Sequence, residues 1–345
     1  MTMGWDGARQ GPPVLSLKAG EGEAARRDEF LATLRQAARD PGAFYLEGHG
    51  IDPSVIDQVE ALSRRFFALP EDEKRAIDMV NSPHFHGYTR VGAELTRGAP
   101  DWREQLDIGS ERPLLPQGPD TPAWARLQGP NQWPAALPDL RAAVLRLQAE
   151  LTAVALALLE RIALALGERA DFFADLYEGG PDQLLKIIRY PGRAAGEGDQ
   201  GVGPHKDSGL LTFVLQRDRG GLQIEREGHW VDVPPRPGTF AVNIGELLEL
   251  ATNGYLKATV HRVVSPPADS DRLSIAFFLG ARLGSKVPLL DLPPDLAALA
   301  TGPERDPDNP LFLDVGENRL KGRLRSHPDV ARRHYADLLG PDGPS

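Results

Sequence analysis

The chain has 345 residues, 41% of them hydrophobic, which is enough to build a packed core in one large domain or two smaller ones. It contains no cysteine, so disulfides, thiolate zinc sites, iron–sulfur clusters and cysteine nucleophiles are excluded, and His, Asp and Glu remain as metal ligands. The formal net charge of −10 opposes binding to nucleic acid or to an anionic membrane, which leaves a small molecule as the expected partner.

The N-terminal region, residues 1–135, is predicted to mix helices and strands. Residues 23–40 and 52–68 carry apolar side chains at helical spacing, and the segment GAFYLEGHGI between them is typical of a strand. Residues 80–135 are rich in Pro, Gly and charge, which predicts ordered surface loops that border a site. The first thirty residues lack the apolar run of a signal peptide and no later run reaches membrane-spanning length, so we expect a cytoplasmic protein.

The middle of the chain changes from one long helix to many short strands. Residues 137–167 are rich in Ala and Leu at helical spacing and predict a buried scaffold helix within a region 136–175. Seven short apolar runs broken by turn residues follow: LLKIIRY, LLTFVLQ, LQIERE, HWVDVP, TFAVNIG, TVHRVVS and LSIAFFLG. Such a series predicts an α+β protein whose antiparallel sandwich or jelly-roll core spans residues 176–285, with a C-terminal extension, residues 286–345, packed on it.

Two His-x-Asp pairs occur in the chain, and only one has the context of a metal site. On a strand, His205 and Asp207 project from the same face, and His261 lies in a later strand that a jelly roll can bring beside them. Two imidazoles and one carboxylate leave three positions of an octahedron open, as in non-haem Fe(II) oxygenases. The second pair, His327 and Asp329, opens a helix-like segment in which Asp329 is better explained as a capping group. A polar turn remains the alternative interpretation of the first pair, and zinc the alternative metal.

A candidate anion clamp follows the third ligand. Arg272 and Ser274 share one face of the segment DRLSIAFF by the same alternation. A guanidinium binds a carboxylate through two parallel hydrogen bonds, and a serine hydroxyl can add a third. An iron site beside a carboxylate clamp indicates an organic-acid cosubstrate.

These motifs together resemble the isopenicillin N synthase-like family of Fe(II)/2-oxoglutarate-dependent dioxygenases. The likeness rests on His205-x-Asp207, His261, Arg272-x-Ser274 and the segment GGLQIEREGHWVDVPPRPGTFAVNIGELLELATNGYLKATVHRVV, and it extends over most of the chain through GAFYLEGHGI and GYTRVGAELTRGAPDWREQLDIG.

The resemblance implies a distorted double-stranded β-helix, flanked by helices, that carries iron through His205, Asp207 and His261. It also implies that 2-oxoglutarate chelates the iron, that Arg272 and Ser274 hold its distal carboxylate, and that Tyr190 lies beside it. With O2, such an enzyme hydroxylates, desaturates or cyclises a small molecule, such as an amino acid or a natural-product intermediate, and releases succinate and CO2.

The substrate contacts are expected in the loop SPHFHGYTRVGAELTRG, because this region borders the iron pocket in similar enzymes. Its candidates are Tyr88, Arg90, Glu94 and Thr96, a set that suits a polar or zwitterionic metabolite. Arg323 and Arg325 near the C-terminus are either anion contacts or part of a solvated basic face. Two other functions remain open at this level: an iron oxidase that does not use 2-oxoglutarate, and a non-enzymatic metabolite-binding protein on the same fold.

Overall fold

The computed structural model describes residues 11–21, 23–194, 196, 198–304, 306 and 309–339. Its helices are α1 (Ala24–Arg39), α2 (Pro53–Phe67), α3 (Glu71–Arg75), α4 (Pro138–Ala165), α5 (Glu246–Ala251), α6 (Pro294–Ala297), α7 (Val315–Ser326) and α8 (Pro328–His334). The first strands are β1 (Val14–Ser16), β2 (Ala43–Glu47), β3 (Gly87–Thr89), β4 (Leu95–Thr96), β5 (Ala99–Pro100) and β6 (Glu104–Gly109). The strands after α4 are β7 (Gln183–Pro191), β8 (Gln200–His205), β9 (Leu211–Gln216), β10 (Leu222–Arg226), β11 (His229–Asp232), β12 (Phe240–Ile244), β13 (His261–Val264) and β14 (Asp271–Leu279).

The two predicted N-terminal helices are confirmed as α1 and α2, and GAFYLEGHGI contains β2. At the start of α2, Pro53 occupies the first turn, where its missing N–H costs no hydrogen bond, and Asp52 accepts a hydrogen bond from the Ser54 N–H at 2.9 Å. The apolar face of α2 includes Val59 and Phe66, both fully buried. α1 and α2 both pack against α4.

The scaffold helix α4 is confirmed and is longer than any other described helix. By length and composition alone it could cross a membrane, so the expectation that no run reaches that length is wrong for α4. Its residues Leu140, Leu147, Leu151 and Leu158 are nevertheless buried in the core that it shares with the largest sheet. A helix buried in the core of a folded domain can be equally long and apolar. The packing of α4 supports this interpretation.

Two sheets form the body of the protein. The larger sheet has the strand order β1-β2-β12-β9-β14-β7-β6-β3 and the smaller one β11-β10-β13-β8, while β4 and β5 pair as a separate hairpin. One hydrophobic cluster joins Ile188 and Val214 of the larger sheet to Ile224 and Val263 of the smaller sheet, so these faces pack together. The opposite face of the larger sheet packs on the helices in the main core. The architecture is a sheet-rich core flanked by helices, consistent with a jelly roll.

All seven predicted strands are present, as β7 and β9–β14. Two further strands, β6 and β8, were not predicted. Residues 80–135 are not only surface loops, because β6 within this stretch lies fully buried between β7 and β3. Its polar residues Gln105 and Asp107 occupy interior positions, which hides the alternation that would predict a strand. The strand β8, which ends at His205, contains Gly and Pro and carries a similarly weak pattern.

Candidate active site

The structure brings the three predicted metal ligands together at the edge of the smaller sheet. His205 ends β8, His261 begins β13, and the two residues are directly paired across these antiparallel strands. Asp207 follows β8, and its Oδ1 lies 3.5 Å from Nε2 of His205 and 3.6 Å from Nε2 of His261. One ligand atom from each residue lies within 4.8 Å of the others, and within the described residues this is the group found with metal-site geometry.

Backbone carbonyls fix the orientation of both imidazoles. Nδ1 of His205 lies 2.9 Å from the Gly203 carbonyl oxygen, and Nδ1 of His261 lies 3.0 Å from that of Thr259. Because each Nδ1–H donates to a carbonyl, each Nε2 presents its lone pair toward Asp207. This is the tautomer that a metal ligand requires.

The electrostatics of the group favour a bound cation. Burial opposes ionisation of Asp207, but His261 and His205 hold the pKa of its carboxyl well below the usual range. Burial lowers the pKa of His261, while for His205 the influence of Asp207 outweighs burial and raises the pKa. Asp207 Oδ2 is buried and has no hydrogen-bond partner among the described residues. A buried carboxylate with a free oxygen and two facing imidazole nitrogens fits a divalent iron.

The predicted clamp lies on the facing sheet. Arg272 is 1% exposed; its Nη1 donates to Ser274 Oγ at 3.1 Å and its Nη2 to Gln216 Oε1 at 2.9 Å. The guanidinium lies 4.8 Å from the ring centroid of Tyr190, and its Nε has no partner among the described residues. No carboxylate pairs with Arg272 in the described part of the chain, so a buried cation is left to bind an external anion.

Sequence reasoning did not identify Gln216. It lies on β9, one strand away from Arg272, and its Nε2 donates to the Val233 carbonyl at 2.9 Å, which leaves Oε1 to face the guanidinium. The only signal in the sequence is a polar residue at the end of an apolar strand.

The four predicted substrate residues lie in different environments. Tyr88 faces the helical core and donates to Glu104 Oε2 at 2.7 Å, and Arg90 is exposed. Glu94 is buried among cations on the inner face of the larger sheet. Thr96 lies on the β4–β5 hairpin, next to Gly203, which comes two residues before the first predicted ligand. A Cβ built on Gly203 would lie 3.1 Å from the Thr96 methyl group. The structure thus brings Glu94 and Thr96, but not Tyr88 and Arg90, to the side of β8.

The second His-x-Asp pair does not form a ligand group. His327 Nε2 lies 3.4 Å from Glu94 Oε1, and Asp329 lies in the first turn of α8, where its Oδ1 accepts from the Val330 N–H at 2.8 Å. Arg323 is buried and donates to Asp107 Oδ2 at 3.1 Å, so the solvated-face interpretation is wrong for Arg323, which instead contacts an internal carboxylate.

One buried carboxylate, that of Glu249 on α5, joins both ligand-bearing segments. Its Oε2 accepts from Lys206 Nζ and from the Ala258 N–H, each at 3.0 Å, and its Oε1 accepts from the Glu304 N–H at 3.0 Å. Lys206 lies between the predicted ligands His205 and Asp207, and Ala258 lies three residues before the third predicted ligand. These residues border a cavity of about 480 Å³.

Comparison with known proteins agrees with this architecture. Residues 12–136 match the family described as non-haem dioxygenase in morphine synthesis N-terminal, and residues 181–281 match the 2OG-Fe(II) oxygenase superfamily. The chain is 36% identical to the 2-oxoglutarate-dependent dioxygenase frbJ of Dothideomycetidae sp. (strain 11243), over 95% of this chain and 93% of that protein. It is 35% identical to homoarginine-6-hydroxylase 2-ODD-C23.1 of Arabidopsis thaliana, over 76% of this chain and 80% of that protein.

Among solved structures, a full-length Neurospora crassa protein in complex with alpha-KG and thymine is similar, with a TM-score of 0.71 at 25% identity, over 94% of this chain and 96% of that one. The chain therefore belongs to the 2OG-Fe(II) oxygenase superfamily. It is an Fe(II)- and 2-oxoglutarate-dependent dioxygenase that oxidises a small molecule, and the His-Asp-His group fits its iron.

Proposed function

We propose that Nε2 of His205, Nε2 of His261 and the Asp207 carboxylate hold the Fe(II), and that Arg272 and Ser274 bind the distal carboxylate of 2-oxoglutarate. The observation that carries this assignment is the buried guanidinium of Arg272, which has no carboxylate partner among the described residues and lies on the sheet facing the ligands. An isolated buried cation is costly unless an anion completes the site.

The fold assignment that accompanies this proposal is a distorted double-stranded β-helix formed by β7–β14. Its support is the strand order, in which β7, β14, β9 and β12 are neighbours in one sheet and β8, β13, β10 and β11 in the other. The division into regions 1–135, 136–175, 176–285 and 286–345 is part of the same proposal.

The chain's own residues position and shield the reactants. Bound iron, 2-oxoglutarate and O2 supply the oxidising power for substrate C–H bonds. The carbonyls of Gly203 and Thr259 hold the imidazole protons on Nδ1, so that both Nε2 atoms remain available to the metal. Arg272, Ser274 and Tyr190 orient the cosubstrate by its far end, and their burial excludes water from the clamp.

The substrate that we propose is a small polar metabolite, such as an amino acid or a natural-product intermediate, oxidised in the cytoplasm. The relatives named for homoarginine hydroxylation and the Neurospora crassa complex with thymine support a polar substrate class. The polar side chains of Glu94 and Thr96 beside β8 are consistent with it.

Anaerobic spectroscopy tests the assignment without knowledge of the substrate. Fe(II) and then 2-oxoglutarate are added to the metal-free protein, and the visible charge-transfer band of the chelated oxoacid is recorded. We expect the band in the wild type, its loss in His261→Ala and a weaker 2-oxoglutarate affinity in Arg272→Ala, because removing the cation deletes the charge-assisted hydrogen bonds. Unchanged affinity in folded Arg272→Ala would contradict the clamp.

The two His-x-Asp pairs provide a matched control for the metal site. Asp207→Ala should abolish iron binding, whereas Asp329→Ala, on α8, should bind iron as the wild type does. Equal loss of iron from both folded variants would show that the first pair is not the ligand pair.

A further inference from the structure

A second pair of polar residues, Arg103 and Gln105, has the same two-residue spacing as the clamp residues Arg272 and Ser274. It lies on the same face of the larger sheet, the face toward the smaller sheet. Across β14 and β7, Arg272 pairs with Tyr190 and Ser274 with Ile188. Across β7 and β6, Gln105 pairs with the same Ile188, and the register places Arg103 beside Tyr190. Arg103 and Gln105 therefore lie two strands from the clamp, roughly 10 Å away, on the face toward the metal ligands.

Hydrogen bonds connect Arg103 to the strand that ends at the first proposed metal ligand. Arg103 Nη2 donates to Asp101 Oδ2 at 3.2 Å, and Asp101 Oδ1 accepts from the Gly203 N–H at 3.2 Å. The Gly203 carbonyl oxygen lies 2.9 Å from Nδ1 of His205. Arg103 therefore lies beside the segment that holds the proposed iron.

Arg103 and Gln105 are both anchored by one carboxylate oxygen. Glu94 Oε2 accepts from Arg103 Nη2 at 2.8 Å and from Gln105 Nε2 at 2.5 Å. Asp101 accepts a further bond from Arg103 at 3.2 Å, and Asp107 one from Gln105 Nε2 at 2.8 Å. Because the amide nitrogen of Gln105 donates to two carboxylates, the orientation of its side chain is fixed with Oε1 directed away from them.

Each of the two anchored side chains retains a buried atom without a partner. Among the described residues, Arg103 Nε and Gln105 Oε1 have no hydrogen bond, although Arg103 is only 9% exposed and Gln105 is 0% exposed. A buried donor or acceptor without a hydrogen-bond partner destabilises the folded state. A donor and an acceptor on neighbouring side chains define a site for a ligand that offers the opposite pair.

The surrounding charges select a neutral ligand group. Around the two free atoms, each buried carboxylate has a buried cation as partner, and we name this set the ionic cluster: Glu94, Asp101, Asp107, Arg103, Lys186 and Arg323. A carboxylate brought to Arg103 would compete with Glu94 and Asp101, and an added ammonium would lack a buried counter-ion.

We propose that Arg103 and Gln105 form the substrate subsite of this oxygenase for a neutral amide-type group, in which a carbonyl oxygen and an N–H are adjacent. The carbonyl accepts from Arg103 Nε–H, and the N–H donates to Gln105 Oε1. A primary amide or a lactam has this arrangement. The inference rests on the proposed function, since it needs iron and 2-oxoglutarate beside the subsite.

The test uses the anaerobic Fe(II)- and 2-oxoglutarate-loaded protein and three simple probes: pyrrolidin-2-one, its N-methyl derivative, and γ-butyrolactone, which lacks the N–H. The readout is the probe concentration that perturbs the charge-transfer band. We expect pyrrolidin-2-one to act at a concentration at least about tenfold lower than the other two, because each of them leaves Gln105 Oε1 unpaired.

The variant Gln105→Met should abolish this preference, and the matched variant Gln117→Met, at an exposed loop residue, should keep it. The charge-transfer band reports whether Gln105→Met is folded. The preference of the wild type for pyrrolidin-2-one tests the subsite even if the variant does not fold. Equal responses to the three probes, or no response to any, would overturn the subsite while leaving the iron assignment intact. Absence of the band from the wild type would instead overturn the proposed function, and the subsite with it.

Discussion

His86 is a buried imidazole at the border of the ionic cluster. Burial, with the nearby charges of Arg323 and His84, lowers the pKa of His86 from 6.5 to about 3. Its Nδ1 lies 3.4 Å from the Pro130 carbonyl oxygen, and the ring packs on Gly109, where a Cβ would approach Nε2 to an impossible 2.1 Å. The folded protein therefore keeps this ring neutral at pH values where the unfolded chain protonates it.

The sign of the resulting pH dependence follows from linkage. As the pH falls below 6.5, the unfolded chain gains a proton at His86 that the folded chain does not, so stability decreases. At about 1.4 kcal/mol per pH unit, this site should cost up to about 2 kcal/mol between pH 6.5 and 5. Urea unfolding of the metal-free protein should show a smaller acid-induced loss in His86→Asn than in the wild type, and an unchanged loss in a variant of the exposed His229. Equal losses in all three proteins would contradict this account.

At the scale of elements, the short helix α5 contacts both segments that carry the proposed metal ligands, and we expect it to hold them in register. Glu249 is 2% exposed and bonds to Lys206 on one segment and to the Ala258 N–H on the other. Glu249→Gln removes the charge that pairs with Lys206 and leaves the ligands themselves unchanged. Partners that orient metal ligands contribute about 10- to 100-fold to metal affinity, so we expect a loss of about tenfold or more in Co(II) affinity.

The control for this prediction is Glu304→Gln, which removes the other, largely exposed carboxylate bound to Lys206. Exposed ion pairs contribute little, so its Co(II) affinity should stay close to that of the wild type. Co(II) titration by visible absorption measures both variants. A Glu249→Gln protein that binds Co(II) like the wild type would show that the hydrogen bonds of Glu249 do not position the proposed ligands.

The elements also show why some features were predictable from the sequence and others were not. His205, Asp207, Arg272 and Ser274 could be identified because metal and carboxylate binding restrict the residue types and strand alternation fixes their spacing. The strand β6 was missed because the interior polar positions that it presents look like a loop. Gln216 and Glu249 were missed for a different reason, since their partners come from other elements and only the folded chain brings them together.

At the scale of the whole molecule, the proposed site joins the two sheets. The proposed metal ligands belong to β8, the residues just after it and β13 in the smaller sheet, whereas the proposed clamp residues Arg272 and Ser274 belong to β14 in the larger one. A cosubstrate held by the proposed metal site at one end and by the proposed clamp at the other would therefore connect the two sheets. Its binding energy should stabilise the folded state as a whole, because a ligand that binds only the folded chain shifts the unfolding equilibrium.

Thermal unfolding with Mn(II) and 2-oxoglutarate tests this coupling. Mn(II) alone should raise the melting temperature, 2-oxoglutarate alone should have little effect, and the pair should raise it by more than the sum, with about 2.7 kcal/mol from a ligand present at 100 times its Kd. Arg272→Met should keep the Mn(II) increment and lose most of the 2-oxoglutarate increment, because the metal ligands stay intact while the far carboxylate loses its cation. Asp207→Ala should lose both. A 2-oxoglutarate increment that survives in Arg272→Met would show that the cosubstrate does not bridge the sheets through this residue.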